Sequence, residues 1–268
     1  MPIRIVFSDI DGTFLTNDHR VTEHTQQAVK ELLAKDIPFV LVSARMPEAI
    51  YPITRNIGVT IPIISYSGGL VLTAEEQVLY SKALTEADCR RVLADIDEHW
   101  PEVTVNYYAG RHWYVRCIDS RVQLEMDITS AQAEIADFAS LMAEGVLPNK
   151  ILIMADPPVC EEMEKKLGER FPELNVVRSA PMLLEIMDRS VSKATGIEVM
   201  LKHFGLTAEE VIAFGDNYND TEMLQYVGCG VAMGNAPEPI RALAHEVTKT
   251  NEEDGIHACL LKKGLVSA

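Results

Sequence analysis

The chain has 268 residues, 47% hydrophobic and 24% charged, with 15 Gly and 13 Pro. These are globular values, and they exclude a collagen, a coiled coil or a wholly disordered chain. Lys and Arg number 24 against 40 Asp and Glu, a formal charge of −16, which lacks the electrostatic footprint needed to bind a nucleic-acid backbone. No apolar run approaches the ~18 residues of a membrane span, and Ile5–Phe7 is too short for a signal-peptide core. Neither nucleic acid nor membrane is therefore expected as a partner, and a cytoplasmic location is expected. The five cysteines, Cys89, Cys117, Cys160, Cys229 and Cys259, form no CxxC pair or zinc-type cluster and read as reduced, packed thiols. Oligomeric state is not legible.

In chain order, Ile3–Phe7 is a short β-branched run ending in Ser8-Asp9-Ile10-Asp11-Gly12-Thr13, a buried strand entering a polar turn. Val21–Lys35 reads as a helix with Thr22 as N-cap, Phe39–Val42 as a second strand ending at Ser43-Ala44-Arg45, and Pro47 as the first turn of another helix. Ile61–Ile64 is a third strand. This alternation predicts a Rossmann-like parallel sheet with right-handed crossovers, its polar residues gathered at the carboxyl edge. From Leu84 to Ile186 the pattern changes to an α+β module: helices over Thr85–His99, around Ser130–Ala143 and over Val159–Arg170, with strands at Val103–Tyr108, Trp113–Ile118, Lys150–Met154, Leu174–Val177 and Leu183–Ile186. After Asp188 the alternation resumes with a helix over Ser192–Phe204 and strands at Val211–Phe214 and Gly228–Ala232. The expected organisation is an α/β core of residues 1–83 and 187–268, with an inserted α+β cap at 84–186.

Two strand ends far apart in sequence each carry two carboxylates, Asp9 with Asp11 and Asp216 with Asp220. Adjacent parallel strands would bring the pairs together. Clustered carboxylates repel unless a cation neutralises them, and an all-oxygen set that leaves room for water and phosphate suits Mg²⁺. An EF-hand fails on spacing, because a loop starting at Asp9 has Gly at position 4 and Arg20 at position 12. Gly228-Cys229-Gly230 lacks the third glycine of a dinucleotide fingerprint. The seven His show no HExxH spacing, and Met182 and Met187 read as packing.

Asp9-Ile10-Asp11-Gly12-Thr13 has four fixed letters, which chance would place in a chain this long with odds of roughly 10⁻³. With Ser43 after the second strand, Lys193 in Val191-Ser192-Lys193 and Gly215–Asp220 as GDxxND, the sequence resembles the haloacid dehalogenase-like (HAD) phosphatases. The large insertion between the second and third motifs resembles the Cof-type branch with a type IIB cap (C2B), as do Gly234-Asn235-Ala236 and Thr250–Gly255. The resemblance implies an aspartyl-phosphate mechanism with Asp9 as nucleophile and Asp11 as general acid and base. It implies that Mg²⁺ is held by Asp9, the Asp11 carbonyl and Asp216, with Asp220 orienting a metal-bound water and Asn217 near the ion. Ser43, Lys193 and Asn219, with the backbone at Ile10 and Ala44, would bind the phosphoryl group. The family has Thr-Gly-Arg where this chain has Ser43-Ala44-Arg45, and Ala resists the positive φ that Gly allows. It commonly has Asn-Gly-Ala where this chain has Ser67-Gly68-Gly69. The implied function is Mg²⁺-dependent phosphomonoester hydrolysis on small phosphorylated metabolites, sugar phosphates first. A phosphomutase and a non-catalytic phosphate-binding or phosphoacceptor module are the alternatives.

Overall fold

Ile5–Asp9 is buried along its whole length, as a strand is when both faces of a parallel sheet are covered. It forms β1 of a computed structural model that describes residues 2–267. The Thr22 side chain accepts from the Thr25 N–H and starts α1 (Glu23–Ala34), whose Ala28, Val29 and Leu32 form a buried stripe. β2 (Phe39–Val42), α2 (Pro47–Asn56) and β3 (Ile63–Ser65) continue the alternation. β4 (Leu70–Leu72) then turns back antiparallel to β3, and β5 (Val78–Ser81) forms the edge. The sequence gives no alternation long enough to reveal these last two strands.

The chain next builds a second sheet. Its elements are α3 (Glu86–His99), β6 (Thr104–Ala109), β7 (His112–Val115), α4 (Ser120–Thr129), β8 (Glu134–Ile135), α5 (Phe138–Ala143), β9 (Lys150–Met154), α6 (Pro157–Arg170), β10 (Leu174–Ala180) and β11 (Leu183–Asp188). Six strands order as β10-β11-β9-β6-β7-β8. One face, with Tyr107, Ile151, Ile153 and Leu184, packs with Val92, Ile96, Met163 and Leu167 of α3 and α6 in a core of its own. Within the sheet, buried Lys150 and Glu185 pair at 3.2 Å, and Asn106 accepts from the Trp113 indole while donating to the Leu152 carbonyl. The helix expected around Ser130–Ala143 is shorter, confined to α5, with β8 before it, and α4 over Ser120–Thr129 is a helix not expected from sequence. Asp119 and Asp137 cap backbone N–H groups at the starts of α4 and α5, and Ser130 ends α4 in the left-handed region at φ 61°.

The chain rejoins the first sheet through α7 (Lys193–Phe204), β12 (Val211–Gly215), α8 (Thr221–Tyr226), β13 (Cys229–Ala232), α9 (Glu238–Leu243), β14 (Glu246–Val247) and α10 (Gly255–Lys262). The sheet order is β14-β13-β12-β1-β2-β3-β4-β5. Strand order therefore reverses between β1 and β12, a topological switch point whose carboxyl edge is where open α/β sheets bind ligands. Two compact units result. The first runs to Arg45, includes Ile50–Tyr80 and resumes at Ser192; the second comprises Met46–Ala49 and Ser81–Val191. All five cysteines are free thiols.

Candidate active site at the carboxyl edge of the first sheet

Register places the first motif. β1 pairs in parallel with β2, Asp9 opposite Val42, and with β12, Ser8 opposite Phe214. Asp9 therefore ends its strand beside the residues leading into Ser43 and into Gly215–Asp220. Beyond Asp9 the chain turns tightly, with the buried Ile10 carbonyl accepting from the Phe14 and Leu15 N–H groups at 3.0 and 2.9 Å. Gly12 lies at φ 79°, and a Cβ there would stand 2.4 Å from Asp216 Oδ2. The position requires glycine both for its conformation and for the close approach of the two loops.

Asp9, Asp216 and Asp220 converge, each offering a carboxylate oxygen within 4.8 Å of the others. Lys193 is drawn into them. Ser192 caps α7, its side chain accepting from Thr195 N–H, and so sets Lys193 as the first residue of the helix. Its ammonium donates to Asp9 Oδ1 at 2.5 Å and to Asp220 Oδ1 at 2.6 Å. Lys193 and Asp220 are almost fully enclosed. Burial opposes the lysine charge, but Asp220 and Asp9 outweigh it and raise its pKa above the ordinary range. Burial raises the Asp9 pKa well above the usual carboxylate range; Lys193 opposes this, while Asp220 and Asp216 add to it. Burial likewise pushes Asp216 up to about 6, against a hydrogen bond from Thr13.

The other expected residues divide. Asp220 Oδ2 accepts the Asp216 and Asn217 backbone N–H groups at 2.9 and 3.0 Å, so with Lys193 on Oδ1 this carboxylate shapes the loop. Asn217 Oδ1 is engaged by the Tyr218 N–H, and Asn219 is exposed beside them. Ser43 is buried at the end of β2, its hydroxyl accepting from the Arg45 N–H at 3.1 Å. Ala44 is not among the positive-φ residues; after β3, Tyr66 and Ser67 are, with φ 49° and 53°. The backbone thus accommodates Ala where the family has Gly. Asp11 is half exposed, and its carboxylate is gripped from both sides by Arg45, Nε to Oδ2 at 2.9 Å and NH2 to Oδ1 at 2.6 Å.

Four residues join this region without having been assigned from sequence. Arg45 clamps Asp11, and Thr13 donates to Asp216 Oδ1 at 2.8 Å. Asn235 donates to the Gly12 carbonyl, and Asn251 is bonded behind it. Arg45 and Thr13 stand within or beside the motifs, and Asn235 and Asn251 within the two stretches that resemble the Cof-type branch, which is a usable signal. Nothing local connects Asn251 to a turn more than 230 positions earlier.

Three carboxylates facing one ammonium leave excess negative charge in a buried place, and burial raises two of the carboxyl pKa values. The donors are oxygens only. A hard divalent cation fits that set.

A doubly wound sheet with carboxylates and a lysine at its switch point is the framework of an α/β phosphoryl-transfer enzyme. The chain belongs to the haloacid dehalogenase-like hydrolases, whose family model matches residues 6–260, and within them to the Cof-type, subclass IIB phosphatases. It is 37% identical to a Haemophilus influenzae protein named "Putative phosphatase", over 98% of this chain and 99% of that one. It is 28% identical to the Bacillus subtilis 5-amino-6-(5-phospho-D-ribitylamino)uracil phosphatase YitU, over 94% of each. Among solved structures, a haloacid dehalogenase-like hydrolase from Bacteroides thetaiotaomicron superposes with a TM-score of 0.87 at 29% identity, covering 97% of this chain and 99% of that one. A HAD subclass IIB sugar phosphatase gives 0.83 at 26%, covering 98% and 100%. The chain is thus a HAD-type phosphatase, and neither alternative activity is favoured. No helix among the described residues is long and apolar enough to cross a membrane.

Proposed function

We propose that this phosphatase hydrolyses small phosphorylated metabolites, sugar phosphates first, with Mg²⁺ as cofactor and an aspartyl phosphate on Asp9 as intermediate. The observation that carries the reading is the buried Asp9 carboxylate at the end of β1, 2.5 Å from the Lys193 ammonium, with Asp11 two positions further along an irregular turn. An Asp9 oxygen attacks phosphorus and the bond from phosphorus to the alcohol oxygen breaks. Asp11 gives that oxygen its proton, then takes a proton from the water that attacks the phosphoenzyme, releasing phosphate and restoring Asp9. Arg45 grips both Asp11 oxygens in the free protein, so the pair has to open at one oxygen for Asp11 to carry the proton it delivers. Lys193 and the Ser43 hydroxyl, with the Ile10 and Ala44 backbone and Asn219, supply the charge and donors that phosphoryl oxygens need.

Asp9, Asp216 and the Asp11 carbonyl would hold Mg²⁺, with Asn217 and Asp220 beside it. When bound, the ion supplies Lewis-acid neutralisation of the phosphoryl charge. The motif residues address only the phosphoryl group, so choice of alcohol falls elsewhere. We assign it to the insertion at 84–186, treated as a cap on a core of 1–83 and 187–268. Two relatives, named as a subclass IIB sugar phosphatase and a 5-amino-6-(5-phospho-D-ribitylamino)uracil phosphatase, support a small hydroxylated alcohol. Five free thiols suit a reducing, cytoplasmic setting.

The test is phosphate release across sugar, polyol, nucleotide and cofactor phosphates, with and without Mg²⁺. Turnover of sugar phosphates that EDTA abolishes and Mg²⁺ restores is expected. Activity confined to phosphoproteins, or unaffected by EDTA, would overturn the reading.

A further inference from the structure

Two asparagines outside the four motifs tie three loops of the site together. Asn235, in the turn after β13, uses its amide at both ends. Nδ2 donates to the Gly12 carbonyl at 2.8 Å and lies 3.5 Å from Asp216 Oδ2, while Oδ1 accepts from the Asn251 backbone N–H at 3.1 Å. Turning the amide over would set its oxygen against a carbonyl and a carboxylate, so hydrogen-bonding chemistry fixes its orientation. Asn251 is buried, and its Nδ2 donates to the Leu15 carbonyl at 3.0 Å and to Asn17 Oδ1 at 3.3 Å. The Gly234 N–H is bonded to the Lys249 carbonyl at 2.9 Å, fastening the same two loops a second time.

The result is a continuous strap from Leu15 through Asn251 and Asn235 to Gly12 and Asp216. It spans both ends of the Gly12–Leu15 turn and reaches the one carboxylate of the acidic cluster that Lys193 does not bond. Asp216 faces a neutral donor on each side, the Thr13 hydroxyl on Oδ1 and the Asn235 amide on Oδ2. Neutral donors orient a carboxylate without cancelling its charge, which stays available to a cation. A lysine in the same place would compete with one.

We infer that Asn235 and Asn251 are positioning residues for the metal site, holding Asp216 and the Gly12–Leu15 turn in the arrangement that takes up a divalent cation. The inference rests on the proposal above that Asp216 is a ligand. The experiment is calorimetric titration of Mg²⁺ into the metal-free full chain without substrate, compared among wild type, Asn235→Ala, Asn251→Ala and the double variant, with folding checked by circular dichroism. Loss of the three Asn235 amide contacts, of which one reaches Asp216, is expected to raise the Mg²⁺ Kd about fivefold in Asn235→Ala. Asn251→Ala keeps its backbone N–H and is expected to move Kd in the same direction by a smaller factor. Because the two act in series, the double variant is expected to bind within about twofold of Asn235→Ala. In phosphate release at saturating Mg²⁺, kcat is expected to change less than about threefold, while the half-activating Mg²⁺ concentration follows Kd. If Asn235→Ala does not fold, Asn251→Ala carries the same comparison. Unchanged Kd in the folded variants overturns the inference, as does a fall in kcat without a change in Kd. If the wild-type protein binds no Mg²⁺, the metal reading and this inference fall together; if it binds and the variants bind equally, only this inference falls.

Discussion

Asp216 has the charge of a ligand without, in the protein alone, a cation to match it, and the consequence is measurable. Its carboxyl titrates near 3.9 in an unfolded chain and at about 6 in the folded one. Between those values the folded state holds a proton that the unfolded state has released, so the contribution of Asp216 to stability falls as pH rises through about 4 to 6. Asp216→Asn keeps the shape and the Thr13 contact and removes the charge, at the cost of turning a donor toward the Asn235 amide. Without metal, the stability of the variant relative to wild type should rise as pH goes from about 4 to above 6, because only wild type carries the buried charge there; denaturant melts at several pH values check this. Asp9→Asn replaces a nucleophile by a nearly isosteric amide. It should lower kcat at least about a thousandfold while the circular dichroism spectrum and melt remain those of a folded protein. At this scale much was legible, because a carboxylate at the end of an apolar strand contradicts the local pattern unless it has a task. The Arg45 grip on Asp11 was not, since a bidentate pair depends on two side chains converging from different strand ends.

The elements carry the site by ending in the right places. β1, β2 and β12 finish side by side, and α7 starts where Lys193 must be buried. Ser192 links local sequence to chemistry here, because its cap fixes the first turn of α7 and hence the root of the lysine. Ser192→Ala should cost about 1 kcal/mol and lower Tm by a few degrees. It should also reduce kcat more than the melt alone suggests, by loosening Lys193; paired melting and kinetic measurements separate the two effects. The long amphipathic helices and all-apolar strands were readable because period and caps agree in α1, α3 and α7. β4, β5, the helix α4 and the late start of α5 were not. Three- and four-residue strands carry too little pattern, and Asp119 and Asp137 became caps because tertiary packing fixed where the helices begin.

At the scale of the molecule, the sequence shows an α/β pattern that stops and resumes, and that much fixes an insertion. It does not show which strands become neighbours, because β1 pairs with a strand some two hundred positions later. That pairing constrains the order of birth on the ribosome. β1 is synthesised before the other strands described above but lies in the middle of its sheet, and it lacks one neighbour until Val211–Gly215 has emerged. By then all of Ser81–Val191, with its own hydrophobic core, has left the exit tunnel. The inserted unit can therefore mature while the segment before it is still waiting, an early exposure of Val-, Ile- and Phe-rich strand that chaperones would have to shield. Nascent chains stalled with Val191 just outside the tunnel should show protease resistance over 86–188 and cleavage within 2–45. Chains stalled with Lys262 outside should resist cleavage in both, making β1, though made before its partners, among the last strands to find their place.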